Sequence, residues 1–136
     1  MLRVLRGAVL LFGALASSLS AAVQVTDDRG AVINLPARPA RIIALSPHLT
    51  EIVFAAGAGE QLAAVVHYSD YPEAARRLPQ VGDASRIDLE RVIALKPDLI
   101  LGWQSGNPAG DLERLERLGF RVFVSEPRRL SDIARL

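Results

Sequence analysis

The stretch from Asp88 to Asn107, DLERVIALKPDLILGWQSGN, leaves a chain few ways to fold. Asp88 is placed to cap a short helix in which Leu89, Val92 and Ile93 fall at i, i+3 and i+4, giving one apolar face. Pro97 stops that helix, because proline lacks the amide donor and clashes with the preceding turn. Leu99-Ile100-Leu101 then reads as a strand buried on both faces, the kind found in parallel sheets. The strand ends in Gly102-Trp103, and Asn107-Pro108 opens the next helix as N-cap and first helical residue. Trp103, the single Trp of the chain, thus sits where a strand hands over to a helix. In open α/β sheets the edge outside the carboxyl ends of the strands is where ligands bind. Inside the polar run Gln104-Ser105-Gly106, Trp103 is a candidate ligand contact, with a core role as the alternative.

The rest of the chain repeats the same grammar. Val23 to Leu35 alternates weakly around a turn at Asp28-Arg29-Gly30 and reads as a β-hairpin, followed by an extended connector at Pro36 and Pro39. Ile42 to Leu45 is a short buried strand, and Ser46-Pro47 supplies an N-cap and a first-turn proline. Leu49, Ile52, Val53 and Ala56 form the inner face of the helix that follows, and Gly57 is suited to its C′ position. Leu62 to Val66 is the next strand, and a short helix over Pro72 to Arg77 comes after it. Val81-Gly82 begins an irregular loop that runs to Asp88. Beyond the central stretch, Leu112, Leu115 and Leu118 line one face of a helix, with Glu113 and Arg117 paired at i, i+4 on its surface. Gly119 ends it, Arg121 to Val124 is a strand, and Leu130 to Leu136 starts a last helix. Strands alternating with helices in this way predict an α/β fold: a parallel, Rossmann-like sheet with helices on both faces, preceded by a small hairpin.

The first 22 residues stand apart. Arg3 and Arg6 precede an uncharged apolar run from Gly7 to Ala16, and Ser20 and Ala22 fit the −3 and −1 positions of a cleavage site, so residues 1–22 read as a secretory signal peptide. The apolar run is about half of the ~20 residues that a membrane span needs. The chain has no Cys, so neither a disulfide framework nor a lipid-modified N-terminal Cys is available. The expected product is a soluble periplasmic protein, monomeric and not inserted in the membrane. Its organisation is a hairpin and connector over residues 23–40 and an α/β lobe over residues 41–136. The leader holds two of the 16 basic residues and no acidic one, which leaves 14 basic against 15 acidic side chains. No basic patch remains, which argues against nucleic acid as a partner.

The amphipathic aromatics are Tyr68, Tyr71 and Trp103, each just past the end of a predicted strand. Together at one sheet edge they suit a large flat ligand held without covalent chemistry. His48, in the first turn of a helix, and His67, beside Tyr68, are either hydrogen-bonded loop residues or part of the ligand lining. Their spacing resembles no metal site. Gly57-Ala58-Gly59 follows a helix rather than a strand and lacks the third glycine of a dinucleotide fingerprint. Without a nucleophile elbow, a P-loop or paired carboxylates, no catalytic role is predicted. Glu90, on the outer side of its helix, reads by pattern as a solvated charge.

Taken together, RIIALSPHLTEIVFAAGAG, YSDYP, LPQVGD, DLERVIALKPDLIL and GWQSGNP resemble the periplasmic substrate-binding proteins that feed ABC importers of cobalamin, haem and ferric siderophores. The resemblance runs from Arg41 to Leu136, and VTDDRGAVINLP is similar to the N-terminal hairpin of many members. YSDYP combined with W-x-x-GN is closest to the cobalamin-binding branch. The resemblance implies two α/β lobes joined by a long helix, with ligand in the cleft between them, so that this sequence is the first lobe and the second is absent. It implies that Tyr68 and Trp103 contact the corrin and that Glu90 docks on arginines of the permease. Ala84 stands where cobalamin-binding relatives can carry a Trp, which removes one expected contact. The runner-up is a haem-binding protein of the same fold, with Tyr71 as an axial iron ligand. A siderophore receptor would show more basic or polar cleft residues. The alternative from another class, an exported α/β enzyme, lacks a recognisable nucleophile.

Overall fold

The computed structural model describes residues 22–133. The leader read over residues 1–22 lies outside them except for Ala22, as do residues 134–136 of the expected last helix. The described part opens with an antiparallel hairpin, β1 (Val23–Thr26) and β2 (Val32–Leu35), in which Val23 faces Leu35 and Thr26 faces Val32. Its turn closes at Gly30, whose φ of +82° is a conformation that glycine adopts without steric cost. Next come β3 (Ile42–Ala44), α1 (Pro47–Ala55) and β4 (Leu62–Ala64), with a single 3-10 turn at Gly59–Gln61. A second 3-10 turn occupies Glu73–Arg77, where a short helix is expected from sequence. The chain then forms β5 (Gly82–Asp83), β6 (Arg86–Ile87), α2 (Leu89–Ala94), β7 (Leu99–Trp103), α3 (Ala109–Arg117), β8 (Val122–Ser125) and α4 (Leu130–Ile133).

Strands β3, β4, β7 and β8 make one parallel sheet in the order β4-β3-β7-β8. From β3 the chain moves to one side to lay down β4, then crosses back so that β7 and β8 extend the other side. The crossovers therefore diverge between β3 and β7. Successive residues of a strand point to opposite faces, and both faces here are covered. On one, Ile43, Leu45, Ile100, Val122 and Val124 pack with Val92 of α2 and with Leu112 and Leu115 of α3. On the other, Ile42, Ala44, Leu62 and Leu99 pack with Leu49 and Val53 of α1 and with Ile33 and Leu35 of the hairpin. The predicted α/β class, with helices on both faces of a parallel sheet, is what the chain forms.

The helix ends divide into those that local chemistry determines and those that it does not. Asp88 caps α2, its carboxylate accepting from the Arg91 amide at 3.0 Å. Gly57 and Gly119 follow α1 and α3 with φ of +75° and +91°, as C′ glycines do. The expected cap at Asn107 is not made: Pro108 takes the N-cap position and the helix starts at Ala109, because the Asn107 side chain is engaged elsewhere. Ser46 stands at the N-cap of α1, but its hydroxyl turns to His48 Nδ1, 3.1 Å away, rather than to a backbone amide. Three residues expected on inner faces lie outside: Ala56 and Leu118 fall at helix ends, and Ile93 rotates away in a helix that buries only Val92. The loop expected over 82–88 is a minimal hairpin, Gly82 paired with Ile87 and Asp83 with Arg86. Strand β4 is shorter than expected, with Val65 leaving it to bridge Gln80.

The hairpin is stapled to the far end of the chain. Asp27 is buried, and its carboxylate accepts from the Arg29 and Ala31 amides, the Arg29 guanidinium and the Val124 amide. Burial alone would raise its pKa, but these donors outweigh it and hold the carboxyl below its ordinary value. The Asp28 amide donates to the Val124 carbonyl at 3.1 Å, and Arg29 continues to Glu116 at 2.7 Å.

Candidate functional site

The divergence between β3 and β7 marks where a crevice must open at the carboxyl edge of the sheet. A hollow of about 580 Å³ lies there, lined by His48, Glu51, Ile52, Ala55, Tyr71, Trp103 and Pro127. The loop after β3, through the fully buried Leu45 and Ser46, leads into α1, whose first turn enters the lining at His48. Helix α1 contributes His48, Glu51, Ile52 and Ala55, which fall at i, i+3, i+4 and i+7 and so form one stripe. Opposite stands Trp103, the last residue of β7, half-buried and packed against the cluster beneath α1. One side of the indole meets the core and another meets the hollow.

The His48 and Trp103 rings meet edge to face, their centroids 5.2 Å apart and their planes at 86°. His48 Nδ1 lies 3.1 Å from the Ser46 hydroxyl, while Nε2 is buried with no hydrogen-bond partner. Burial pushes the imidazole below its ordinary pKa, against the upward pull of Glu51 and Glu126. The ring is therefore neutral around pH 7, with a polar atom held beneath the hollow and unused.

Asn107, read as a helix cap, holds this edge together. Its Oδ1 accepts from the Trp103 amide at 2.7 Å, and its Nδ2 donates to the carbonyls of Leu45 and Ala84, each at 2.8 Å. One buried carboxamide thereby joins the loops after β3 and β7 to the β5–β6 turn. Ala84 is in that turn. Gly106 completes the support: a Cβ on it would collide with the six-membered ring of Trp103, so only glycine lets the loop pass so close.

The YSDYP loop is pinned by its serine. Ser69 is buried, and its hydroxyl lies 3.2 Å from that of Thr50 inside α1. On either side of this anchor Tyr71 and Tyr68 project, 70% and 78% exposed. Tyr71 lines the hollow, whereas Tyr68 does not; it stands edge-on to His67 at 6.4 Å. Tyr68 has φ of +66°, which costs a non-glycine residue about 1 kcal/mol, a cost that functional positions tolerate. The structure brings together His48, Tyr71 and Trp103; it leaves Tyr68 and His67 at the exposed tip of the neighbouring loop. Glu90 is elsewhere, exposed in the first turn of α2, on the helix layer opposite α1. Sequence reasoning missed Glu51, Ala55 and Pro127, although the spacing of 48, 51, 52 and 55 was a visible second stripe. Among the described residues no cluster of His, Cys, Asp and Glu is suited to hold a metal ion, and no helix is long and apolar enough to cross a membrane.

Residues 42–133 match the periplasmic binding protein family. The chain belongs to that family. Among curated members, the vitamin B12-binding protein of Vibrio vulnificus strain YJ016 is 52% identical over 102 residues, covering 74% of this chain and 37% of its own length. A vitamin B12-binding protein from Yersinia pestis strain Pestoides F is 49% identical over 104 residues, 76% of this chain and 37% of the relative. The crystal structure of the periplasmic vitamin B12-binding protein BtuF of Vibrio cholerae superposes with a TM-score of 0.69 at 46% identity, over 71% of this chain and 38% of that one. A periplasmic heme-binding protein from Pseudomonas aeruginosa gives 0.62 at 34% identity, over 65% and 32%. This chain thus spans a little over a third of the family members it matches, at 37% of their length. All of the residues that line the switch-point hollow lie within the matched span.

Proposed function

We propose that this lobe forms one wall of a binding site for a corrinoid of the cobalamin class, and that it serves an ABC importer as part of the periplasmic substrate-binding component. The observation that carries the reading is the aromatic-walled hollow at the switch point, in a chain 52% identical to a vitamin B12-binding protein. A corrin is a broad macrocycle of low polarity. Trp103, Tyr71, Ile52 and Pro127 offer the flat apolar contact that such a ring needs, and Tyr68 extends it from the loop tip. His48 supports the Trp103 face and His67 supports Tyr68. The role of the protein is capture and delivery, without catalysis. Residues 1–22 act as the export leader, the protein works as a monomer in the periplasm, and Glu90 meets arginines of the permease through a surface separate from the ligand.

A second reading, haem as ligand, is favoured by Tyr71, whose phenol lines the hollow and would be an axial iron ligand. Against it, no Lys or Arg is among the lining residues to meet the two propionates. Titration of the chain with cyanocobalamin and with haemin, followed by Trp103 fluorescence and visible absorption, tests the choice. Saturable quenching by cyanocobalamin, without a tyrosinate–iron absorption band on adding haemin, is the expected result. That band together with silence toward cyanocobalamin would transfer the assignment to haem.

A further inference from the structure

The hollow has one charged residue in its lining, Glu51, a full turn after His48 on α1. Glu51 is exposed, and among the described residues it has neither a hydrogen bond nor an ion pair. Asp27, Glu113, Glu116 and Glu126 all have an arginine within salt-bridge reach. Glu126, next to Pro127 of the lining, joins Glu51 in acting on His48, and both favour the protonated imidazole. Arg128, the nearest cation in sequence to Pro127, is turned to Glu126 at 4.0 Å. The lining therefore offers a bound molecule a carboxylate acceptor for hydrogen bonds and no Lys or Arg to pair with an anion.

We propose that Glu51 is a specificity-determining residue that selects ligands whose rim bears amides over those whose rim bears carboxylates. The inference rests on the corrinoid reading and deepens it. A corrin carries amide side chains around its edge, and an amide N–H donates to the Glu51 carboxylate in a charge-assisted hydrogen bond. Hydrolysis of that amide replaces the donor with a second anion of nearly the same shape. Two like charges then face each other at the lip of an apolar surface, where water screens them poorly. The same repulsion weighs against haem propionates.

Cyanocobalamin and its separate b-, d- and e-monocarboxylic acids differ only in one amide each, and Trp103, the single Trp, reports occupancy of the hollow. At about pH 7.5 at least one monocarboxylic acid should bind the chain about tenfold more weakly than cyanocobalamin, a change typical of like-charge contact at an interface. Glu51→Gln, which keeps the shape and removes the charge, should bring the two affinities together, and Glu51→Lys should invert the order. Because the Glu51 side chain makes no hydrogen bond or ion pair in the fold, the melting temperature of both variants should match that of the parent. Quenching by cyanocobalamin with equal affinities for all three acids would overturn the selectivity and leave the corrinoid reading standing, as would a preference unchanged in Glu51→Gln. No quenching by cyanocobalamin would overturn both.

Discussion

The His48 imidazole stands with its ring at 86° to the Trp103 indole, the centroids 5.2 Å apart, across the gap between the helix after β3 and the end of β7. The two belong to different crossovers of the sheet, and each fixes the other where a ligand would arrive. The ring contact occupies one side of the indole. Its remaining free surface is the one that the hollow exposes.

Trp103→Phe should separate recognition from support. Phe keeps a ring against His48 but loses the wider face, so cobalamin binding should weaken about tenfold while the fold persists. Far-UV circular dichroism and a binding titration by absorbance check this. Loss of folded structure on this conservative change would make Trp103 a core residue.

His48 gives stability a direction with pH. Its pKa in the fold is depressed below the ordinary 6.5, so the unfolded chain takes up a proton that the folded chain resists. This contribution is full above that value and declines as pH falls through it. As the pH is lowered from about 7.5 to 5, the melting temperature of the parent should fall relative to that of His48→Gln, because only the parent meets this protonation penalty. Parallel curves would mean that the buried imidazole adds no such penalty.

Asn107→Ala removes three hydrogen bonds and leaves the carbonyls of Leu45 and Ala84 without that donor. Buried groups left unpaired cost about 1–3 kcal/mol each, so a loss of about 3 kcal/mol is expected by denaturant titration. Trp103 emission should shift to the red as its loop loosens. Asn107→Asp, which keeps the acceptor for the Trp103 amide, should retain more of the native emission than the Ala variant.

Glu90→Arg should leave melting temperature and cobalamin affinity unchanged, because an exposed single charge contributes little to folding. Ligand-dependent uptake into vesicles carrying the cognate permease should fall sharply, since like charges across an interface cost several kcal/mol. Uptake at the parent rate would return Glu90 to an ordinary solvated charge.

What could be read from the sequence was what neighbours along the chain decide. Asp88 caps α2 because its amide partner is three residues away, and Leu99 to Leu101 form a buried strand because the run is short and apolar. Asn107 looked like a cap because its two carbonyl partners lie 62 and 23 residues distant, where no local pattern reaches. As a stripe, His48, Glu51, Ile52 and Ala55 escaped for a different reason: hydrophobic periodicity finds the face turned to the core, and this face is mixed because it is turned to the hollow. Leu118 and Ala56 were placed inside by extending an apolar stripe past the last turn of a helix. The hairpin at Gly82–Ile87 has two residues per strand, too few to show a period at all.

The Asp27 staple has a consequence for how the lobe behaves beside its own copies. In a parallel sheet the outermost strand turns a row of amides and carbonyls to the outside, a template on which another chain can pair. On β8 that row passes through Val124, and the hairpin occupies both of its groups: the carboxylate of Asp27 takes the amide and the backbone of Asp28 takes the carbonyl. At the opposite margin the segment Pro79 to Gly82 covers Val65 and reaches the His67 amide. Each margin of the sheet is thus partly covered by the chain itself, which shortens the ladder that a second molecule could extend. Edge-to-edge growth between copies of this lobe is opposed at β8 by a turn that lies outside the lining of the hollow.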